Sequence, residues 1–198
     1  MAMERLRKQF ASDPSFLNEG SMGLVASESN PSGRSGHIPG YPVGSIFKSR
    51  RDCAKARVHG MNVAGIHGSK HYGAYSICMS GGYEDDTDEG DFIIYTGTGG
   101  QVDSYGGTSS QQQDQSFSHP DNAALALNCQ NGRPVRVVRG PNSDSPWAPH
   151  TGYRYDGLYK VEKAYLAKGK SGYVVCRYEL RRLPDQPPIP LKSSIKPL

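Results

Sequence analysis

Between residues 80 and 100 the chain reads SGGYEDDTDEGDFIIYTGTGG, with six carboxylates (Glu84, Asp85, Asp86, Asp88, Glu89 and Asp91) in eight positions between two glycine-rich turns. Tyr83 adjoins the first turn and Tyr95 the second. Several chemistries can use such a stretch. An EF-hand calcium loop with Gly90 sixth puts Asp85 first, but Thr87 is then third, Glu89 fifth and Thr96 twelfth, so the bidentate glutamate is missing and the match fails. Hydrolysis by paired carboxylates needs a separation in space that spacing in sequence does not fix. The acids repel phosphate, although the backbone N–H groups of Gly97, Gly99 and Gly100 can approach one closely. The remaining use is a slot for a flat, neutral heterocycle. Its faces would meet the rings of Tyr83 and Tyr95, and Asp86 would accept from an exocyclic amine such as cytosine N4. A stacked base reaches such a slot only by flipping out of its duplex. Taken singly, Glu84, Asp85, Asp88 and Glu89 read as solvated acids.

The charge pattern points the same way. Residues 34–72 carry seven Lys/Arg and one acid, residues 73–120 no Lys/Arg and eight acids, and residues 121–198 thirteen Lys/Arg and six acids, for a net charge of +4. Two basic arms flanking an acidic, glycine- and tyrosine-rich centre fit a phosphate-binding face with a neutral-ligand pocket inside it. No apolar run approaches the roughly 18 residues of a membrane span, and the N-terminus has no apolar core of a secretory signal, so an intracellular protein is expected. Cys53, Cys78, Cys129 and Cys176 form no C-x-x-C pair, which leaves buried, idle thiols as the expectation.

The elements that must position these residues read as one domain of mainly β structure. Residues 1–36 are expected to form a flexible arm, because their Ser/Gly/Pro content builds no core. RDCAKARVHG predicts a helix ended by Gly60. VAGIHG, GAYSICMSGGY, DFIIYTG, RPVRVVRG, YDGLYKVEKAYL and SGYVVCRYELRRL predict strands. In the second of these, one face is apolar and the other small. SHPDNAALALNCQNG predicts a helix capped by Ser118 and stopped at Gly132. The Gly/Ser/Gln segment from Gln101 to Gln115 predicts a loop long enough to reach a ligand. Residues 186–198 form a proline-rich tail.

GYPVGSIF, VAGIHG, the acidic stretch itself, DQ followed by NAALALN, PVRVVRG and YDGLYKVE occur in that order, and together they resemble the SRA (SET- and RING-associated, or YDG) domain over about residues 37–185. The resemblance implies an α+β, mainly β fold with a twisted, curved, barrel-like sheet and flanking helices, of the SRA/PUA-like kind. It implies binding of methylated double-stranded DNA by flipping 5-methylcytosine into a pocket, without cofactor, metal or catalytic residue. Tyr83 and Tyr95 would sandwich the base and Asp86 accept from N4. The main chain around Ser80, Gly81, Gly82 and Thr96 would contact the Watson–Crick edge and surround the methyl group. Ser80 stands where relatives often have alanine, which leaves tolerance of hydroxymethylcytosine open. Val63, with Asn62 beside it, would be a thumb entering the vacated stack, although Val63 reads equally as a core valine. A finger after Gln101 would enter from the other groove. Animal relatives carry Asn-Lys-Arg there; this chain has no cation in that loop, so Tyr105 or a glutamine would fill the gap. Thr98, Gly99, Gly100, Gln101 and Arg133 are further candidates for phosphate or groove contacts. Arg136 and Arg139 fit either that role or an exposed strand face, and YDG reads as a structural turn with a buried tyrosine. The implied role is a nuclear reader in maintenance of cytosine methylation or heterochromatin, preferring hemimethylated CpG, with a DNA methyltransferase or chromatin proteins as partners and no membrane. No SET or RING sequence accompanies the motifs. Readers of fully methylated or hydroxymethylated DNA and methyl-dependent nucleases are the alternatives.

Overall fold

Alternating β-branched and aromatic residues place much of the chain in strands. The computed structural model describes residues 35–101, 111–142 and 144–192, all within the compact unit Ser32–Leu198. The expected arm therefore lies almost wholly outside the described residues, as do Tyr105, the middle of the finger loop and the last six residues of the tail. In chain order the elements are β1 (Ile46–Phe47), α1 (Arg50–Lys55), β2 (Ile66–Ser69), β3 (Gly73–Met79), β4 (Thr87–Asp88), β5 (Phe92–Thr96), α2 (Pro120–Asn131), β6 (Val135–Arg139), β7 (Tyr153–Lys168) and β8 (Val174–Arg182). The strands form one twisted sheet in the order β2-β3-β6-β7-β8-β5-β4, with β1 added to β7. Mainly β structure with flanking helices is thus what the sequence implied.

Two features of this sheet decide where function can sit. β3 and β6 are its parallel pair, with Met79 opposite Arg139, and a parallel pair needs a long crossover. That crossover contains the acidic stretch, the finger loop and α2. β7 is 16 residues long and serves as the spine: its first half pairs with β6 and its second half with β8, with register shifts at Arg136/Val138 and Val161/Lys163. Such bulges bend a sheet and increase its twist.

Both faces of the central strands are covered. Ile77, Val135 and Val137 join a large core with Leu125 of α2, while Cys78 and Val138 face a second core with Phe47, Cys53 and Val58 beside α1. All seven residues of β3 and all five of β6 are buried. This corrects the expectation of a small, uncovered face on β3, and Arg136 and Arg139 do not line an exposed face: they are 1% and 0% exposed. Tyr155 of the YDG segment is fully buried, as expected, but it lies within β7, and its hydroxyl meets His37 Nδ1 at 2.8 Å. All four cysteines are free, three of them buried, and burial pushes the thiols of Cys53 and Cys176 up to about 12.

Two helix boundaries differ from expectation. α1 ends at Ala56, well before Gly60, because Arg57 turns into the left-handed region (φ 60°) and so delivers Val58 into the second core. α2 is capped by His119, whose ring accepts from the Asp121 N–H at 3.3 Å, while Ser118 bonds back to Ser116. Pro120 in the first turn and the stop at Gly132 are as expected.

Candidate nucleic-acid interface

The acidic stretch sorts its carboxylates into three kinds. Glu84, Glu89 and Asp91 are exposed and solvated. Asp85 is buried: its Oδ1 accepts from the Lys170 N–H at 3.0 Å and from Arg177 Nη2 at 2.8 Å, and Arg177 Nη1 donates to the Asp85 carbonyl at 2.8 Å. Asp88 accepts from Arg139 at 2.7 and 2.9 Å, from the Ser145 hydroxyl at 2.6 Å and from the Gly90 N–H at 3.1 Å. Burial pushes its carboxyl up, but Arg139 and Ser145 outweigh that and hold it below the usual carboxylate range. Asp85 and Asp88 are therefore moorings rather than the solvated acids expected of them. Their partner arginines lie on β8 and β6, far along the chain, where local sequence gives no sign of them.

Asp86 is the third kind. Among the described residues it takes part in no ion pair. Its Oδ1 accepts from the Thr96 N–H at 2.8 Å, so that N–H, expected at the edge of a base, is spent on orienting the carboxylate. The Thr96 hydroxyl is buried close to the same group without making a hydrogen bond of normal geometry. Burial pushes Asp86 up to about 7 against the opposing effects of Thr96 and Arg177. Tyr95 is 3% exposed and Tyr83 half-buried. Burial raises both phenols, the negative charge of Asp86 raises each further, and Tyr83 also acts on Tyr95, so the three side chains share one electrostatic neighbourhood. The arrangement is a low-dielectric recess whose one cationless acceptor stands between two aromatic rings. Two wide grooves, of about 500 and 420 Å³, open elsewhere, beside Phe47 and beside Trp147, and neither touches these residues.

A pH effect follows from Asp86. Its folded-state value of about 7 lies above that of an unfolded aspartate, near 4. The folded protein therefore holds a proton that the unfolded chain releases, and folding stability falls as pH rises from about 4 to 7. Asp86→Asn removes this cost, so it should raise the unfolding free energy at pH 8 by about 1–3 kcal/mol and change it little at pH 4. Urea titrations of both proteins at the two pH values measure the difference; equal effects at both would contradict it.

The turns flanking the recess are held from beneath. Gly81 has φ +74°, and a Cβ there would lie 2.9 Å from the Asn142 side chain, so only glycine fits. Ser80 and Gly82 are exposed beside it. On the other side, the Tyr83 hydroxyl is hydrogen-bonded by the Thr98 side chain and the Gly99 backbone. Three buried amides that sequence reading passed over fix this second turn. Gln115 Nε2 donates to the carbonyls of Gly97 (2.8 Å) and Gly99 (3.2 Å), and Gln111 Nε2 donates to Gly99 O at 2.9 Å. Asn122 of α2 accepts from the Thr98 N–H at 2.8 Å and donates to the Thr98 carbonyl at 3.0 Å. The Gly97 N–H is bound to Cys176 O at 2.8 Å, so it is not free for a phosphate as expected. Gln101 reaches across to the Gly82 carbonyl at 3.2 Å, joining the finger's base to the first turn. The available signal was polar residues recurring at buried spacing inside an Ala/Leu helix.

Val63 is 64% exposed and Asn62 is exposed beside it, which removes the core-valine reading. Their loop is fixed at its root. Arg50 Nη2 donates to the Ala64 carbonyl and lies 3.0 Å from His59 Nε2, while His59 Nδ1 meets Ser76 Oγ at 2.9 Å. Burial lowers His59 to about 3, so its imidazole is neutral at physiological pH. At Gly65, any Cβ would run into the Tyr95 hydroxyl. Gly65→Ala should therefore displace the Tyr95 ring and lower affinity for methylated duplex about tenfold, a loss expected of roughly one misplaced wall contact. Unchanged affinity in an anisotropy titration would contradict the contact. Arg133 is exposed and donates to Tyr72 O at 3.1 Å. The β3–β6 register puts it at the far end of the sheet from Ser80, roughly 20 Å away at about 3.3 Å per residue.

Residues 34–186 match the SAD/SRA domain family. A UHRF1-like protein of Cryptococcus neoformans is 48% identical over 167 residues, which cover 80% of this chain and 48% of that protein. The chain thus spans about half the length of that curated relative and less of others; in the E3 ubiquitin-protein ligase UHRF1 of Rattus norvegicus, 45% identical, the match covers 22%. Among solved structures, a modification-dependent TagI restriction endonuclease superposes with TM-score 0.72 at 44% identity, covering 76% of this chain and 53% of that one. The SUVH5 SRA domain in complex with hemimethylated CG DNA superposes with TM-score 0.65 at 35% identity, covering 79% of this chain and 98% of that one, and the same domain has been solved with fully methylated and fully hydroxymethylated CG DNA.

Proposed function

The chain belongs to the SAD/SRA domain family, and from that premise we propose that it binds double-stranded DNA containing methylated cytosine and flips the modified base between Tyr83 and Tyr95. The observation that carries this reading is Asp86: a buried carboxylate with no cation of its own, oriented by the Thr96 N–H and placed beside two phenols. A buried acceptor lacking its donor is costly, and the exocyclic amine of a cytosine supplies one. Ser80, Gly81 and Gly82 form the near rim and line the methyl side of the recess. Val63 and Asn62 enter the gap that the base leaves, and Gln101 with the finger loop approaches from the opposite groove.

The protein prefers hemimethylated CpG, and it acts as a reader in the nucleus during maintenance of cytosine methylation or heterochromatin, with a DNA methyltransferase or other chromatin proteins as partners. Anisotropy titrations of unmethylated, hemimethylated and symmetrically methylated duplexes at one stated salt concentration test this. Tightest binding to the hemimethylated duplex supports it, and equal affinity for methylated and unmethylated duplexes would remove it.

The likeness to a modification-dependent restriction endonuclease favours one second reading, DNA cleavage near the modified base. Among the described residues, no group of three or more His, Cys, Asp or Glu is arranged to hold a metal ion. Incubating excess protein with labelled methylated duplex and Mg²⁺ distinguishes the two; strand scission would replace the reader by a nuclease.

A further inference from the structure

The segment that builds the recess and the finger, residues 73–120, contains no lysine or arginine and eight acids. A flipped nucleotide nevertheless brings its own phosphate and its two neighbours up to that surface, and binding a polyanion depends on neutralising such charges. The cations must come from another part of the fold. One element is bonded to both loops: the β7–β8 hairpin tip, residues 168–174. On one side, the Lys170 N–H donates to Asp85 Oδ1 at 3.0 Å and Lys170 Nζ reaches the Glu84 carbonyl. On the other, the Val174 N–H donates to Asp114 Oδ1 at 2.7 Å, and the Gln115 N–H donates to the Val174 carbonyl at 2.7 Å, where the finger returns. Gly169 at the centre of the tip is buried against Asp85, and a side chain there would meet that carboxylate at 2.6 Å. Lys168, Lys170 and Tyr173 are exposed around it. Arg177, the next cation along β8, is already committed to Asp85.

We propose that the β7–β8 hairpin tip is a phosphate-binding site for duplex DNA, in which Lys168 and Lys170 neutralise the backbone beside the flipped nucleotide and Tyr173 packs on the adjoining sugar. It rests on the reading of this face as a DNA-binding surface, and it extends that reading to an element outside the pocket, thumb and finger. The tip's hydrogen bonds to Asp85 and Asp114 fix its height relative to both loops, so its cations are placed by the same contacts that place the recess. Because lysine meets phosphate as a point charge without reading sequence, the site adds affinity without methyl selectivity.

The test is a salt titration of the full chain on a labelled duplex with one 5-methylcytosine and on its unmethylated counterpart, for wild type, Lys168→Gln, Lys170→Gln and the double variant. Lys163→Gln serves as control: that lysine is exposed on β7 but paired with Glu179 at 2.8 Å. Each tip substitution should lower the slope of log affinity against log salt by about one and weaken both duplexes about five- to tenfold at 0.1 M salt, leaving the ratio between them unchanged. Slopes and affinities unchanged in the double variant, or reduced equally by Lys163→Gln, would overturn the proposal. Failure of the methyl-reading hypothesis shows separately, as a wild-type ratio near one. Thermal unfolding of the variants should match wild type, since the substituted ends are solvent-exposed.

Discussion

Asp86→Ala is expected to weaken binding to a hemimethylated duplex by about ten- to a hundredfold while changing affinity for unmethylated DNA little. The magnitude is that of one charge-assisted hydrogen bond lost in a water-poor site, about 1.5–3 kcal/mol. The selectivity of the loss follows from the geometry. Asp86 lies among the half-buried and buried phenols of Tyr83 and Tyr95 and pairs with no cation among the described residues, so it touches DNA only through a base that has entered the recess. Phosphate contacts, which dominate unmethylated binding, do not involve it. Parallel anisotropy titrations of both duplexes check this, and an equal loss on the two would mean that Asp86 acts on the general DNA surface instead.

Arg139→Met should have the largest effect on stability. Arg139 is fully buried and joins the acidic loop to the sheet: it donates to both oxygens of Asp88, to Asp156 at 3.0 Å, to the Tyr159 hydroxyl at 3.1 Å and to Gly90 O at 2.8 Å. Arg154 holds the other oxygen of Asp156. Removing the guanidinium leaves Asp88 without its cation and Asp156 with one fewer, at a cost of about 3–5 kcal/mol. Urea unfolding should show a lower midpoint with unchanged slope, and methyl preference should fall with it, because Asp88 moors the loop that carries Asp86. A midpoint within experimental error of wild type would show that the network does not hold the loop. The double replacement Arg139→Met with Asp88→Asn should recover part of the loss, since it removes one of the stranded charges.

Where one face of a strand is covered, side-chain alternation reports it, and β5, β7 and β8 were legible for that reason. β6 was legible as a strand but not in its environment. Arginines interleaved with valines look like a solvated face, yet α2 and α1 cover opposite sides of the central strands, and Arg136 and Arg139 are buried with them. Periodicity cannot distinguish one covered face from two. The end of α1 was illegible because Arg57, a residue with no preference for positive φ, makes the turn that glycine was expected to make. At the site, Tyr83, Asp86 and Tyr95 were identified through resemblance, since sequence spacing alone left hydrolysis and simple solvation open. The sorting of their neighbours was not readable at all. Asp85 and Asp88 differ from Glu84 and Glu89 only in which arginine the fold brings to them, and those arginines come from β8 and β6. Gln111, Gln115 and Asn122 looked like ordinary polar loop and helix residues, although each is at least nine-tenths buried and spends its amide on the turn beneath Tyr83.

A crystal structure with an oligonucleotide duplex carrying one 5-methylcytosine addresses the central claim without intermediaries. The modified base should lie outside the helix between the rings of Tyr83 and Tyr95, its N4 within about 3 Å of Asp86, a normal hydrogen-bond distance. A modified cytosine still stacked and paired with its guanine would contradict the account.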